Sequence, residues 1–319
     1  MSTPTILLNE TRLTLAKGDK TVELDLSVLP NEVVAPFRGG FDAFTPEIRY
    51  SETIKIFRLW SDVMLRTRYE SEGIMRLSDV KPKETTWLWN PYIPHGELTT
   101  VVSRCGSGKT MLAIDIASHV TKGFGLPGEV SVGPRNVLYF VVEDSIEKTI
   151  RTRAERQGAD LNRLLVKRCD EYMDKVFIKK LDMLMETEDL GLVVFDPIIS
   201  FLESPENAKK TRPILEGLRE VAEKHNCPTL LINHFTKTAE SKGPEKVSIY
   251  DMRGSGVIPD VCRSIFFIWG GTTTGFVEHR KANLSALGPD TTFHKIEGVL
   301  VWENPDETFE VKPKWFPND

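Results

Sequence analysis

Leu98-Thr99-Thr100-Val101-Val102-Ser103-Arg104-Cys105-Gly106-Ser107-Gly108-Lys109-Thr110 is the stretch whose reading decides the fold. Residues 98–102 are a short apolar run that ends at a glycine-rich turn, and residues 109–120 read as a helix. A glycine loop between a strand and a helix can fold its backbone N–H groups round phosphate, and the helix N-terminus adds the positive end of its dipole. Ser103, Arg104, Cys105, Gly106, Ser107, Gly108, Lys109 and Thr110 are therefore the candidate nucleotide-binding residues. Lys109 has the reach for the β- and γ-phosphates, and Thr110 carries the hydroxyl that holds Mg²⁺. One position departs from GxxxxGK[ST]: Ser103 stands where glycine is expected, which predicts strain at the strand exit or a slower reaction. A chance glycine turn does not account for GSGKT in this setting.

Outward from this loop, apolar runs and helical stripes alternate. Residues 136–142, 191–195 and 228–233 read as strands buried on both faces, and residues 146–156 as an amphipathic helix. Ile214, Leu215, Leu218, Val221 and Ala222 give the stripe of a helix lying on a sheet. Residues 264–269 and 275–279 read as later strands. The alternation predicts an α/β fold with a mainly parallel central sheet flanked by helices.

Three of these strands end in polar chemistry. Asp196, directly after Leu192-Val193-Val194-Phe195, fits the carboxylate that shares the magnesium shell with Thr110. Glu143 fits the base that polarises an attacking water, with Asp144 as its rival; Asp144 or Ser145 also fits the cap of the next helix. Asn233 and His234 are candidates to sense the γ-phosphate.

Residues 1–80 read differently. Residues 5–8, 12–15 and 21–26 alternate loosely about a Gly18-Asp19 turn, which suggests a hairpin or meander. Thr45-Pro46-Glu47 looks like a helix start, and Ile54, Phe57, Trp60 and Met64 follow at helical spacing. That stripe packs on the main domain or meets a partner. The division expected is a small α+β extension, 1–80, and a core, 81–319, joined through Lys81-Pro82-Lys83.

With 40% hydrophobic and 27% charged residues, the 319-residue chain is neither disordered nor collagen-like. Its apolar runs fall far short of the roughly 20 residues of a membrane helix, and Met1–Leu15 has no signal-peptide pattern. Cys105, Cys169, Cys227 and Cys262 are scattered without metal spacing, as free thiols of a reducing, cytoplasmic setting would be. The net charge of −5 means that a nucleic-acid site must be a local patch or be assembled from several subunits.

The run Trp87-Leu88-Trp89-Asn90-Pro91-Tyr92-Ile93-Pro94-His95-Gly96-Glu97-Leu98-Thr99 resembles the lead-in to the phosphate loop of RecA-like ATPases of the plasmid RepA hexameric helicase type. So do Asn136-Val137-Leu138-Tyr139 running into Glu143-Asp144-Ser145, Phe195-Asp196-Pro197, and His234 with Lys237. Arg253-Gly254-Ser255-Gly256 with Asp260 and Arg263, and Lys281-Ala282-Asn283-Leu284, continue the match in order. The resemblance implies a RecA-like P-loop NTPase core that uses ATP and Mg²⁺ at the interfaces of a ring, usually of six copies. It also implies a transition-state cation donated by a neighbour, with Lys281 and Arg280 as candidates. Single-stranded DNA would meet loops facing the ring centre, here residues 204–212 and the polar, flexible stretch 238–252. Lys209, Lys210, Lys242, Lys246 and Arg253 are the candidate contacts. A primase or loader would be a separate protein, and no membrane is involved. Two other readings stay open: a RecA-class recombination or annealing ATPase, and a nucleotide-gated assembly with weak hydrolysis.

Overall fold

The computed structural model describes residues 72–303 throughout, the backbone of Thr5–Asn9, Arg12–Lys17 and Lys20–Asp25, and the single residues Ser27, Arg58 and Tyr69. The stripe of Ile54, Phe57, Trp60 and Met64 lies outside the described residues. The chain divides into two units, Met1–Lys83 and Glu84–Asp319. In the first, β1 (Thr5–Asn9), β2 (Arg12–Lys17) and β3 (Lys20–Asp25) form an antiparallel sheet, with Thr5 opposite Ala16 and Arg12 opposite Asp25.

The second unit begins with the short pair β4 (Trp87–Trp89) and β5 (Ile93–Pro94). It continues through β6 (Leu98–Ser103), α1 (Lys109–Lys122), β7 (Asn136–Val141) and α2 (Arg151–Arg156). Then come β8 (Leu164–Arg168), α3 (Lys175–Thr187), β9 (Leu190–Asp196), α4 (Ala208–Lys224), β10 (Thr229–His234), α5 (Lys237–Glu240) and α6 (Val257–Val261). Four antiparallel strands close it: β11 (Ser264–Gly270), β12 (Thr274–Ala282), β13 (Thr291–Ile296) and β14 (Val299–Trp302).

The central sheet has the order β14-β13-β12-β11-β6-β10-β9-β7-β8. Strands β11, β6, β10, β9, β7 and β8 run parallel, whereas β11 to β14 pair antiparallel. This is the α/β, RecA-like P-loop architecture. Strand β9 shows why it needs helices on both faces: Val193 and Phe195 enter one core, Leu192 and Val194 the other. The first core takes Phe177 and Leu181 of α3 with Leu215 and Leu218 of α4; the second takes Leu112 and Ile116 of α1.

Two loop expectations are corrected here. Residues 204–212 are not an open loop. Asn207 accepts from the Lys209 and Lys210 N–H groups and caps α4, so Lys209, Lys210 and Arg212 stand in the first turns of a helix. The stretch 238–252 is built of short helical turns, Val247 and Met252 are buried, and Phe235 bridges to Met252. The helix expected at 146–156 opens with a π turn, capped by Ser145, which accepts from the Lys148 N–H at 3.1 Å; Asp144 is not the cap. Among the described residues no helix is long and apolar enough to cross a membrane.

Candidate nucleotide site

The parallel strands bring their carboxyl ends to one edge of the sheet. Ser103 at the end of β6 lies level with His234 of β10, and Asp196 at the end of β9 lies level with Val141 of β7. Ligands of open α/β sheets bind at such strand ends. Lys109, Thr110, Glu143, Asp144, Asp196 and His234 all line one cavity of about 460 Å³ there. Cys105, Gly106 and Gly108 form its loop wall, and Met111, Val141, Arg153, Thr272 and Lys295 also line it.

The loop owes its shape to glycine. Gly106 and Gly108 have φ of 78° and 105°, a region closed to most side chains, and Gly108 accepts the Leu112 N–H at 2.9 Å as α1 begins. Ser103 is not in that region: it completes β6, and its hydroxyl donates to the Arg104 carbonyl at 2.8 Å. The expected strain at Ser103 is absent, because the chain makes its first left-handed turn only at Gly106. Ser103 and Ser107 are buried and do not line the cavity. The Arg104 side chain leaves it, crossing Trp269 at 5.7 Å and donating to the Lys242 carbonyl at 2.6 Å.

Two of the charged groups lining the cavity, Lys109 and Asp196, are buried. Burial lowers the Lys109 pKa, opposed by the nearby Asp196, Cys105 and Glu143. Burial raises the Asp196 pKa, opposed by hydrogen bonds from Tyr139 and Thr110; the Tyr139 hydroxyl donates to Asp196 Oδ2 at 2.7 Å. Thr110 and Asp196 both line the cavity, a pair of hard oxygen donors that fits a magnesium shell. His234 is pushed down to about 4, first by burial and then by Lys109 and Arg253, so its imidazole is neutral at pH 7. Glu143 is exposed at the cavity wall, while Asp144 pairs with Arg153 at 3.4 Å.

The remaining sequence candidates lie elsewhere. Arg280 of β12 pairs with Glu278 at 2.7 Å, donates to the Val247 carbonyl at 2.5 Å and lies over Phe267 at 5.1 Å. Lys281 donates to the Pro259 carbonyl at 2.6 Å. Lys210 pairs with Glu203 at 3.1 Å and Lys242 with Asp251 at 2.9 Å, whereas Lys209 and Lys246 are exposed. Arg253 does not line the cavity, but its charge is felt by Lys109 and His234, which do. Sequence reading missed Tyr139, Arg153, Thr272 and Lys295 as members of the site. Tyr139 sits in an apolar run and reads as core, and Lys295 lies far along the chain with no motif around it.

A family model described as an AAA domain matches residues 67–240, a span from ahead of β4 to the end of α5. The chain belongs to this AAA-domain family. A probable replicative DNA helicase of Trieres chinensis is 21% identical over 253 residues, 71% of this chain and 55% of that protein. The AAA-domain chain thus spans about half the length of this relative. An AAA-type ATPase domain implies use of a nucleotide and of Mg²⁺, and the cavity walls offer groups suited to both.

Proposed function

We propose that the chain is an ATP-hydrolysing DNA motor of the plasmid RepA helicase type, which forms a ring, six copies in the expected case, and moves along single-stranded DNA. The observation that carries the reading is the convergence of Lys109, Thr110, Glu143, Asp196 and His234 on one cavity beside a left-handed glycine loop. In this reading Gly106 and Gly108 let backbone N–H groups surround the phosphates, and Lys109 pairs with the β- and γ-oxygens. Glu143 orients the attacking water and takes its proton. His234, neutral, donates a hydrogen bond to the γ-phosphate and so senses its loss. Thr110 and Asp196 would hold Mg²⁺, which neutralises phosphate charge when bound.

The DNA part rests on the name of the Trieres chinensis relative and on exposed Lys209 and Lys246. Six weakly basic surfaces in one ring can hold an anionic strand that a single acidic subunit cannot. Lys281 and Arg280 remain the proposed cations for a neighbouring subunit's nucleotide. In that role each would exchange a carbonyl of its own chain for phosphate. The nucleotide-gated alternative, marked by Ser103 and Cys105, differs in its rate: it would bind ATP and turn it over weakly.

ATP turnover with and without single-stranded DNA, beside Lys109→Ala and Glu143→Gln, tests the proposal. Turnover that DNA stimulates and both substitutions abolish is the expected result. Native protein that binds ATP without turnover refutes the motor. Turnover indifferent to DNA leaves an ATPase and removes the helicase.

A further inference from the structure

Three cations reach the cavity wall, and their surroundings differ. Lys109 has Asp196 and Glu143 near it, and Arg153 has Asp144 at 3.4 Å. Lys295 has neither. Among the described residues no carboxylate pairs with it: its ammonium meets the Gly271 carbonyl at 2.8 Å and, more loosely, the Gly106 carbonyl of the phosphate loop at 3.5 Å. The ring of Phe293, two residues away on the same strand, lies 5.9 Å from the ammonium. A half-buried cation held by carbonyls and an aromatic ring is short of counter-charge, and an anionic ligand in the cavity supplies it.

Its position is fixed from two sides. The Lys295 N–H donates to the Thr273 carbonyl at 2.7 Å, and its β13 neighbour His294 pairs with Thr274 of β12. The stem then crosses the last glycine of the phosphate loop. A Cβ on Gly108 would stand only 2.7 Å from Lys295 Cε, so a larger residue there would push the lysine's end aside; the loop needs glycine for its φ of 105°. Gly106, Gly271 and Lys295 thus form one contact that joins the phosphate loop to the β11–β12 turn.

We propose that Lys295 is a second nucleotide-binding cation, supplied by the same chain, that pairs with the polyphosphate of a nucleoside di- or triphosphate. The inference rests on the nucleotide reading above and extends it to a residue outside the GSGKT loop. When phosphate enters, the ammonium exchanges its loose Gly106 contact for phosphate oxygen, and the β11–β12 turn is held by the same side chain.

Titration calorimetry with MgADP on the full chain tests this, using wild type, Lys295→Met, Lys295→Arg and Lys295→Gln. Loss of one charge-assisted contact predicts about tenfold weaker ADP binding for K295M, and K295R within about threefold of wild type. The gap between wild type and K295M should narrow as NaCl is added, a dependence that a purely structural tie does not produce. K295M binding ADP as tightly as wild type overturns the inference. Should K295M lower the melting temperature of the free protein, K295R and K295Q decide: the inference requires Arg to bind tighter than Gln, and equal affinities overturn it. Wild type that binds no ADP sinks the nucleotide reading itself, and that arm is read separately from the variants.

Discussion

Replacing Tyr139 by phenylalanine removes one hydroxyl from a fully buried position on β7 and leaves the ring that packs there. That hydroxyl donates to Asp196 Oδ2 at 2.7 Å, and Asp196 is only 6% exposed. A hydrogen bond to a charged group contributes about 1.5–3 kcal/mol, and a buried carboxylate has little water to replace it. Y139F should therefore destabilise the protein by about 2 kcal/mol at pH 7, or roughly 4–8 °C in melting temperature for a domain of this size. The sign with pH follows from the same contact. Burial already raises the Asp196 pKa and the Tyr139 bond opposes the rise, so its loss lets the pKa climb further. Below that pKa the carboxyl is neutral and the lost bond is worth less, about 0.5–1.5 kcal/mol. Thermal unfolding of both proteins from pH 5 to pH 8 reads this directly: the Y139F deficit should be largest at the alkaline end. ATP turnover, where measurable, should lose its acid limb at a higher pH in Y139F. A deficit below about 0.5 kcal/mol at pH 8 refutes the idea that Tyr139 supports an ionised Asp196.

His234 and His279 are both held down to about 4, mainly by burial, so unfolded chains bind protons between about 6.5 and 4 that the folded chain refuses. Stability from these groups is present above pH 6.5 and falls as pH drops; Asp115, raised to about 6 by burial, opposes that loss, so denaturant midpoints should fall more steeply with acid in Asp115→Asn than in wild type. Cys105 is exposed in the phosphate loop while Cys169, Cys227 and Cys262 are buried, the last two with thiols pushed up to about 12. N-ethylmaleimide should modify Cys105 first, as mass spectrometry reads, and MgADP should slow it; an unchanged rate places the nucleotide elsewhere. Gly108→Ala puts a Cβ at φ 105° and against Lys295, so it should cost about 1–2 kcal/mol in unfolding experiments and weaken ADP binding; wild-type stability and affinity would refute the reading of the loop.

Much of the fold was legible because its signals are local. GSGKT carries its strand, turn and helix within a few residues, and the apolar run of β9, short and rich in valine, reads as a strand covered on both faces. Asp196 and His234 were legible because each directly ends such a run. Strand β8 escaped notice because it is the edge strand, its Lys167 and Arg168 exposed, and α3 because only Phe177, Leu181 and Met185 of its thirteen residues are buried. The start of α4 was readable in principle: Asn207 is a good cap, yet the lysines after it suggested a basic loop. Tyr139 could not be separated from its core neighbours, since its role is set by Asp196 on the adjacent strand. The same holds for Arg280, whose partners Val247 and Phe267 lie 20 residues apart, one after a short helical turn and one on β11.

The antiparallel end of the sheet looks like an appendage to the parallel core, and its contacts argue otherwise. Strand β13 brings Lys295 to the phosphate loop, and β14 grips the helix that follows the loop. Asp115 of α1 accepts from Trp302 Nε1 at 2.8 Å and from Gln157 Nε2 at 2.6 Å, and Gln157 in turn exchanges hydrogen bonds with the Leu300 backbone at 2.8 and 2.9 Å. The burial that drives the Asp115 pKa up makes each of these donors costly to lose. Loop and helix are therefore held by the same hairpin at two points, one on each side of Gly108. A ligand that draws Lys295 off the Gly106 carbonyl must act on a strand already tied to α1 through β14. Strand β13 also pairs, through Thr274–Val277, with β12, the strand that carries Arg280 and Lys281 further along.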